Sequence, residues 1–376
     1  MTSPDQPVTY ASAGVDTEAG DRAVALMKDA VRATHTPAVI GGVGGFAGMI
    51  DASALQGMRR PLLATSTDGV GTKVAIAQAM DVHDTIGQDL VGMVVDDIVV
   101  VGARPLLMTD YIACGKVVPE RIADIVRGIA TACATVGTPL LGGETAEHPG
   151  LLGEHEYDVA GAATGVVEAD AVLGAERVRD GDVVLAMAAS GLHSNGYSLV
   201  RRVVAVAGWE LDRDVPDFGR TLGAELLEPT RLYTPACLDL LATPGVEVHA
   251  YSHVTGGGLA ANLARVLPAG TCAVVDRAGW VVPPVFDVVR ALGSVPWDDL
   301  EGTLNLGIGM VAVVSPDSVD PALTAVRRAG IDTWVLGTVH GEVPPAAARA
   351  SAARLVAGTK GVDGGAVLLT GAYRTA

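Results

Sequence analysis

Two glycine-containing segments near the start of the chain combine residue types that bind phosphate and a divalent cation. The run GGVGGFAG covers residues 41–48, and TDGVGTK covers residues 67–73. A glycine-rich backbone closes around phosphate oxygens, an aspartate in a tight turn binds Mg²⁺, and a lysine neutralises phosphate charge. The two segments therefore predict a nucleotide site in which Asp68 holds the ion and Lys73 faces the phosphates.

Two familiar nucleotide-binding motifs fit these segments poorly. A P-loop requires G-x-x-x-x-G-K-[ST], which neither segment supplies. The dinucleotide fingerprint G-x-G-x-x-A does match Gly42, Gly44 and Ala47, with Asp68 at a suitable distance. However, only residues 38–40 precede it as a possible strand, and the sequence after it, MIDASALQGM, is too short and glycine-broken for the required helix. The dinucleotide alternative is therefore disfavoured but stays open.

A strongly apolar segment carries aspartates where burial is expected. The helix predicted over about residues 85–101 contains Asp89, Asp96 and Asp97, which lie on or beside one face. Buried carboxylates this close together cannot all ionise without a cation or hydrogen-bond donors. Divalent metal on a nucleotide is the favoured interpretation, and protonation or capping of loop N–H groups is the alternative. Asp84, just before the helix, is a candidate N-cap or a further ligand.

Three later loops join polar residues to glycines. In GGETAEHPG, residues 142–150, Glu144 or Glu147 is a candidate metal or ribose ligand, with a solvated turn as the alternative. GLHSNG (191–196) and SHVTGGG (252–258) each open a helix and favour an anion such as a phosphate, although the second could be a plain turn. His193 is a candidate general acid or base, but no nucleophile-elbow pattern surrounds Ser194.

The elements that must position these residues alternate between strands and helices. Short Val/Ile/Leu-rich strands between residues 62 and 167 surround two predicted helices, at about 85–101 and 119–136. A second cycle starts with VVLAMAAS and includes a helix near 257–266. We therefore expect an α/β fold with domains over 1–175 and 176–345. The Ala/Gly-rich tail over 346–376 is expected to be peripheral or disordered.

Composition excludes several classes of partner. The 376 residues carry a formal net charge of −17, which disfavours nucleic acid and anionic membrane. No uninterrupted apolar run of about 18 residues occurs, and the N-terminal residues lack a signal-peptide pattern, so a cytoplasmic location is expected. The cysteines are too scattered for a zinc site or a disulfide framework and are expected to be buried thiols. They are Cys114, Cys133, Cys237 and Cys272.

The motifs together resemble one family, the phosphoribosylformylglycinamidine cyclo-ligases, also called aminoimidazole ribonucleotide synthetases. The resemblance covers about residues 10–340. Its motifs, in order, are YASAGVD, GGVGGFAG, TDGVGTK, HDTIGQDLVGM, GARPLLMTDYIACGK, GGETAEHPG, GLHSNGYSLVR, SHVTGGG and NLGIGM. Each motif is weak evidence alone, but the ordered set is specific. Asp96 and His148 depart from the usual Asn and Met, and the sequence after Gly341 lies outside the pattern.

The resemblance implies an enzyme of de novo purine biosynthesis that uses ATP and Mg²⁺. It would close the imidazole ring of formylglycinamidine ribonucleotide, giving aminoimidazole ribonucleotide, ADP and phosphate, through an imidate-phosphate intermediate. The implied fold has two α/β domains: an N-terminal mixed sheet that pairs across a homodimer into a barrel, and a C-terminal substrate domain. A requirement for a monovalent cation is left open.

The resemblance also implies roles for particular residues. The ATP-binding set is Gly41, Gly42, Gly44, Gly45, Asp68, Gly69, Gly71, Thr72 and Lys73. The substrate-binding set is His193, Ser194, Asn195, His253, Thr255, Gly256 and Gly257. The Mg²⁺ ligands are Asp68, Asp97 and Glu144, with Asp84 and Asp96 in reserve. The catalytic candidates are Lys73, Asp97 and His193, the last as the proton carrier.

Relatives with the same architecture supply the alternatives. A selenide, water dikinase would be expected to show a cysteine near the glycine loop, and the first cysteine here is Cys114. The larger glutamine-dependent synthase needs a far longer chain. A small-molecule kinase like thiamine monophosphate kinase stays open. A non-catalytic nucleotide-binding regulator also stays open. The argument against it is the retention of Asp68, Lys73, Asp97 and Glu144.

Overall fold

The computed structural model describes residues 14–358 and 363–375. Residues 10–13 of the YASAGVD motif and residues 359–362 and 376 of the tail lie outside the described ranges. No helix within those ranges combines the length and the apolar character needed to cross a membrane. The described cysteines are all buried free thiols, as predicted.

The first half of the chain forms a four-stranded sheet covered on one side by helices. Its elements are α1 (Thr17–Ala33), β1 (Val39–Ile40), β2 (Met49–Ile50), β3 (Pro61–Gly69), α2 (Val74–Met80), α3 (Thr85–Val100), β4 (Arg104–Cys114), α4 (Pro119–Thr135), β5 (Leu140–Glu147) and β6 (Tyr157–Glu168). The strand order is β3-β6-β4-β5, with only β4 and β5 parallel. The predicted helices thus exist, within a residue of their expected ends.

Helix α3 lies very close to the sheet because β6 carries glycines beneath it. A Cβ atom at Gly165 would lie 2.5 Å from Ile98 Cγ2, and one at Gly161 would lie 3.2 Å from Leu90 Cδ2. Along residues 91–99 of this helix, Asp97 alone is exposed. The close packing therefore buries the apolar helix, as its composition predicts, and leaves one carboxylate at the surface.

The second half forms a seven-stranded mixed sheet with helices on both sides. Its elements are β7 (Val183–Ala188), α5 (Tyr197–Ala207), β8 (Asp214–Val215), β9 (Arg220–Thr221), α6 (Leu222–Leu226), α7 (Thr234–Ala242), β10 (Val248–His253), α8 (Gly258–Arg265), β11 (Cys272–Asp276), β12 (Val281–Val282), α9 (Pro284–Gly293), α10 (Trp297–Glu301), β13 (Ile308–Val314), α11 (Val319–Arg328), β14 (Thr333–His340), α12 (Pro345–Ala348), β15 (Arg354–Ala357), β16 (Ala366–Thr370) and β17 (Arg374–Thr375). The strand order is β10-β13-β7-β14-β11-β16-β15. The α/β expectation is confirmed, whereas a domain boundary at residue 175 stays a prediction.

The expectation of a disordered tail is wrong for its described residues, although its strands β16 and β15 do lie at one edge of the sheet. Strand β16 pairs in parallel with β11, and its Val367, Leu368 and Leu369 are buried. The segment is also fixed by Glu301, which accepts hydrogen bonds from Arg277, Arg354 and Tyr373. The sequence did not reveal this strand, because a strand of about five residues is short and the residues around it are mostly Ala, Pro and Gly.

Candidate active site

A carboxylate and a histidine meet where the two halves of the chain face each other. Asp97, near the end of α3, accepts a hydrogen bond from Nδ1 of His253, at the end of β10, over 2.9 Å. The His253 side chain is 2% exposed, and its Nε2 has no hydrogen-bond partner among the described residues. Burial disfavours the charged ring, but Asp97, Asp96 and Asp68 outweigh it and raise the pKa of His253.

Asp68 lies at the end of β3, near the same point. Burial raises the pKa of Asp68, and the charge of Asp97 adds to this, against the lowering effect of the Gly69 N–H and His253. Because the charge of Asp97 acts on Asp68, the two carboxylates lie within electrostatic reach of each other. Mg²⁺ is usually held by one or two carboxylates together with substrate phosphates, so this pair fits the ion.

An open cavity of about 320 Å³ adjoins this pair between the halves. It is lined by Ser66 and Asp97 from the first half and by Ser252, His253, Thr255 and Arg265 from the second. Beside it, Gly257 and Gly258 have φ values of 105° and 71°, so their backbone takes a conformation that suits glycine. The Asp97 carboxylate, His253 and Arg265 therefore line a space open to a charged ligand.

Lys73 does not face this cavity, contrary to the prediction. Its side chain has no exposed surface, and Nζ donates to Asp89 Oδ1 at 2.8 Å, to the His193 carbonyl at 2.9 Å and to the Glu228 carbonyl at 2.7 Å. An ammonium group has three N–H donors, so none is left for a phosphate. Lys73 instead joins the TDGVGTK segment to two loops of the second half.

Asp96 is not a metal ligand either. Its buried carboxylate accepts hydrogen bonds from the backbone N–H groups of Tyr233 and Thr234 and from the Thr234 hydroxyl. These donors surround the start of α7, where backbone N–H groups have no partner within the helix. Asp89 Oδ1 likewise accepts hydrogen bonds from Lys73 Nζ and from the Thr230 N–H and hydroxyl, whereas its buried Oδ2 has no partner among the described residues. Capping therefore explains Asp96, and an ion pair with Lys73 explains Asp89.

Asp84 lies at the opposite end of α3 from Asp97. It is exposed at the N-cap position of α3 and makes no capping hydrogen bond there. Asp97 lies 13 residues further along the same helix, which at 1.5 Å per residue separates the two by roughly 20 Å. A single ion cannot bind both residues, so the reserve role of Asp84 is wrong for this site.

The glycine loop and Glu144 lie at the opposite edge of the sheet from Asp68. Gly41 follows β1, while Gly42, Gly44, Gly45 and Glu144 line a second cavity, of about 520 Å³, beside β5. Strands β3 and β5 are separated by β6 and β4, or roughly 14 Å at the usual strand spacing. One chain therefore does not bring its glycine loop together with the Asp68–Asp97 pair.

Hydrogen bonds of its His193 and Ser194 side chains fix the conformation of the GLHSNG loop. His193 is buried with φ 62°, and its Nε2 accepts a hydrogen bond from the Ser190 N–H. Burial, assisted by nearby His253 and Lys73, places the pKa of His193 well below its usual value. Ser194 donates to the Val70 carbonyl at 2.5 Å. Burial therefore favours the neutral ring, whose Nδ1 has no hydrogen-bond partner among the described residues, and the role of His193 as proton carrier stays a prediction.

The remaining second-half motifs converge beside this loop. The Asn305 amide donates to the Gly191 carbonyl, and the Val254 N–H donates to the Gly309 carbonyl. A Cβ atom at Gly256 would lie 3.5 Å from Asn195 Oδ1, so the ends of the two loops adjoin. The structure therefore brings GLHSNG, SHVTGGG and NLGIGM together around the Asp97–His253 pair. This proximity could not be predicted from their order in the sequence.

Comparison with known proteins identifies related sequences and folds. The model of the AIR synthase related protein family matches with its N-terminal domain over residues 49–167 and its C-terminal domain over residues 179–345. The phosphoribosylformylglycinamidine cyclo-ligase of Geobacillus sp. (strain WCH70) is 47% identical over 331 residues, covering 88% of this chain and 95% of the relative. That of Alkaliphilus oremlandii is 44% identical over 333 residues, covering 88% and 97%.

Solved structures with much lower identity share the fold. The thiamine-monophosphate kinase of Stenotrophomonas maltophilia superposes with a TM-score of 0.63 at 20% identity, covering 84% of this chain and 93% of the kinase. The hydrogenase maturation protein HypE, solved in complex with ATP, gives a TM-score of 0.60 at 19% identity, covering 95% and 96%. At such identities the similarity concerns the fold alone.

Proposed function

The chain belongs to the AIR synthase related protein family, with phosphoribosylformylglycinamidine cyclo-ligases as its relatives, and on this premise we propose how its residues carry the reaction. The protein is a ligase of purine biosynthesis. It uses ATP to close the imidazole ring of formylglycinamidine ribonucleotide and releases aminoimidazole ribonucleotide, ADP and phosphate. The observation that carries the site assignment is the Asp97–His253 contact between the two halves of the chain.

The reaction requires an amide oxygen to become a leaving group. Transfer of the γ-phosphoryl group of ATP to that oxygen gives an imidate phosphate, and the substrate's internal nitrogen then attacks this carbon and expels phosphate. Positioning and charge neutralisation supply most of the catalysis in such transfers. We assign positioning of the phosphates to the Asp68–Asp97 end of the sheet, and of the substrate to Ser194, Asn195, Thr255 and the glycines at 256–257.

Asp68 and Asp97 would hold Mg²⁺, whose charge would offset that of the triphosphate. In its charged form, which the surrounding carboxylates favour, His253 donates from its buried, unpartnered Nε2 to a phosphate or substrate oxygen, while Asp97 fixes the orientation of its ring. Lys73 holds the TDGVGTK turn against the His193 loop, so it acts by positioning. Glu144 lines the glycine-loop cavity, where its carboxylate would hold Mg²⁺ only if a nucleotide also occupied that cavity.

We further propose that the working protein is a homodimer. The side of the first sheet away from α3 exposes Leu63 by 66% and Tyr111 by 40%. Exposed apolar surface on a sheet is typical of a face that another layer covers. A second copy packed on this face would form the barrel, and its glycine loop, with Gly42, Gly44 and Gly45, would complete the nucleotide site that one chain leaves divided between two sheet edges.

The proposal also places the protein in the cytoplasm, where reduced cysteines are normal.

The proposed chemistry is tested with substrate carrying ¹⁸O in the amide group. The imidate-phosphate route moves that oxygen into the released phosphate, so labelled phosphate in proportion to turnover is expected. Unlabelled phosphate would refute the phosphorylated amide as the intermediate.

A further inference from the structure

Asp110 on β4 is a carboxyl group that the roles above do not use. Its Oδ2 atom is buried and has no hydrogen-bond partner within residues 14–358 and 363–375. Burial raises the pKa of Asp110 to about 7. A buried polar oxygen without a partner costs free energy, so a missing ligand, ion or water is expected to complete it.

The Asp110 carboxyl reaches the cavity under the glycine loop across Gly143. The parallel register of β4 and β5 pairs these two residues. A Cβ atom at position 143 would lie 1.4 Å from Asp110 Oδ1, so only glycine leaves room for the carboxyl there. Asp110, Gly143, Gly44 and Gly45 all line the cavity of about 520 Å³.

The other walls of this cavity suit a flat ring. Ala23, Met27 and Val31 of α1 form an apolar side, and the glycine loop faces them. Ligand cavities of this size usually combine apolar walls with a few polar groups that fix orientation. Glu144 lines the same cavity, so a metal ion is the alternative occupant, and the test below distinguishes the two.

Building on the proposed use of ATP, we propose that Asp110 accepts a hydrogen bond from the 6-amino group of the adenine ring and thereby selects ATP. The ring packs against Met27 and Val31 of α1. Inosine triphosphate has the same shape but carries a carbonyl oxygen at this position. Above a pH of about 7, where the Asp110 carboxyl is ionised and can only accept, this oxygen meets it with a second acceptor. A site built to bind an amino group rejects a ligand that lacks it.

The test is equilibrium binding of ATP and of inosine triphosphate, by calorimetry in Mg²⁺ without the ribonucleotide substrate. The unaltered protein should bind ATP about tenfold more tightly or better. Asp110→Asn, whose amide can turn its N–H₂ group to the ring, should bind the two within about twofold of each other. Asp124→Asn, on the surface of α4, is the matched control and should keep the original preference.

Two results would overturn this assignment. One is an unchanged preference in Asp110→Asn. The other is an equal loss of both nucleotides together with a higher Mg²⁺ requirement, which would make Asp110 a metal ligand. Because no substrate is present, the binding result does not depend on turnover. A protein that prefers ATP through Asp110 but makes no aminoimidazole would refute the proposed function and leave this assignment standing.

Discussion

Lys73 Nζ lies 2.8 Å from Asp89 Oδ1, and neither side chain has any exposed surface. Burial lowers the pKa of Lys73 and raises that of Asp89, and each charge opposes that effect on the other. The contact holds α3 against the turn that ends the TDGVGTK motif. Through the carbonyls of His193 and Glu228, the same ammonium group also fixes two loops of the second half.

Removal of the Lys73 charge should destabilise the protein strongly. Lys73→Met leaves Asp89 buried without a counter-charge, and loss of one partner of such a pair costs about 3–5 kcal/mol. The free energy of unfolding, measured in urea, should fall by this amount. Lys116→Met is the matched control, because Lys116 forms an exposed pair with Glu154 and should change little. A small effect at Lys73 would contradict the positioning role.

Asp96 and Asp97 should respond differently to the same substitution. Asp96→Asn keeps a carbonyl acceptor for the N–H groups at the start of α7, so the Mg²⁺ concentration for half-maximal turnover should stay unchanged. Asp97→Asn removes a proposed ligand and should raise it at least roughly tenfold, since loss of even an outer partner of a ligand can cost that much. An equal change of the Mg²⁺ requirement in both variants would contradict the assignment of Asp97, but not Asp96, as a metal ligand.

The open face of the first sheet should control association. Leu63→Lys places a charge on the proposed dimer face, so it should give a monomer by light scattering and lose turnover with it. Val206→Lys on α5 is the matched control, because Val206 is exposed by 65%, close to the 66% of Leu63. A monomeric Leu63→Lys protein with full turnover would refute the completion of the site by a second copy.

The hydrogen bonds that Glu301 accepts from Arg277, Arg354 and Tyr373 should make the free energy of unfolding depend on pH. Burial tends to raise the pKa of Glu301, but hydrogen bonds from Arg277 and Tyr373 outweigh it and lower that pKa below the usual 4.5. A carboxyl group whose pKa is lower in the folded protein stabilises the fold at pH values above its pKa in the unfolded chain. This stabilisation is lost as the pH falls through its pKa in the folded protein.

The stability advantage over Glu301→Gln should therefore be complete at neutral pH and shrink below about pH 4.5. Urea unfolding of both proteins from pH 7 down to acid checks this. Asp298→Asn, which removes a mostly exposed carboxylate near Arg354, is the control and should show little of this dependence. A pH-independent difference would show that the Glu301 charge does not hold the tail.

Some of these features could be predicted from the sequence, and others depended on contacts between distant residues. The apolar character of α3 was sufficient to predict the helix and its burial. The partners of Asp89 and Asp96 were not predictable, because Thr230 and Tyr233 lie more than 130 residues away in sequence. Metal binding was the wrong explanation for Asp96, whose partners are N–H groups at the start of α7. Asp89 instead pairs with the Lys73 ammonium group.

The surroundings of two other residues were also not predictable from the sequence, for similar reasons. Asp110 lies within the motif GARPLLMTDYIACGK, but its burial follows from the register with Gly143 on a neighbouring strand. His193 stands in a glycine-rich loop typical of active sites, and only the packed structure shows that Ser190 and Tyr233 enclose it. Residue types and spacing indicated the chemistry, whereas the allocation of each polar side chain required the tertiary contacts.

The most direct test of the function is the stoichiometry of ADP and aminoimidazole ribonucleotide. The purified protein is given ATP, Mg²⁺ and formylglycinamidine ribonucleotide, and the aminoimidazole is assayed by its colour after diazotisation. ADP release that depends on the substrate and matches aminoimidazole one for one is the predicted result. ADP without aminoimidazole would indicate a kinase or an uncoupled ATPase, and would contradict the assignment as a cyclo-ligase.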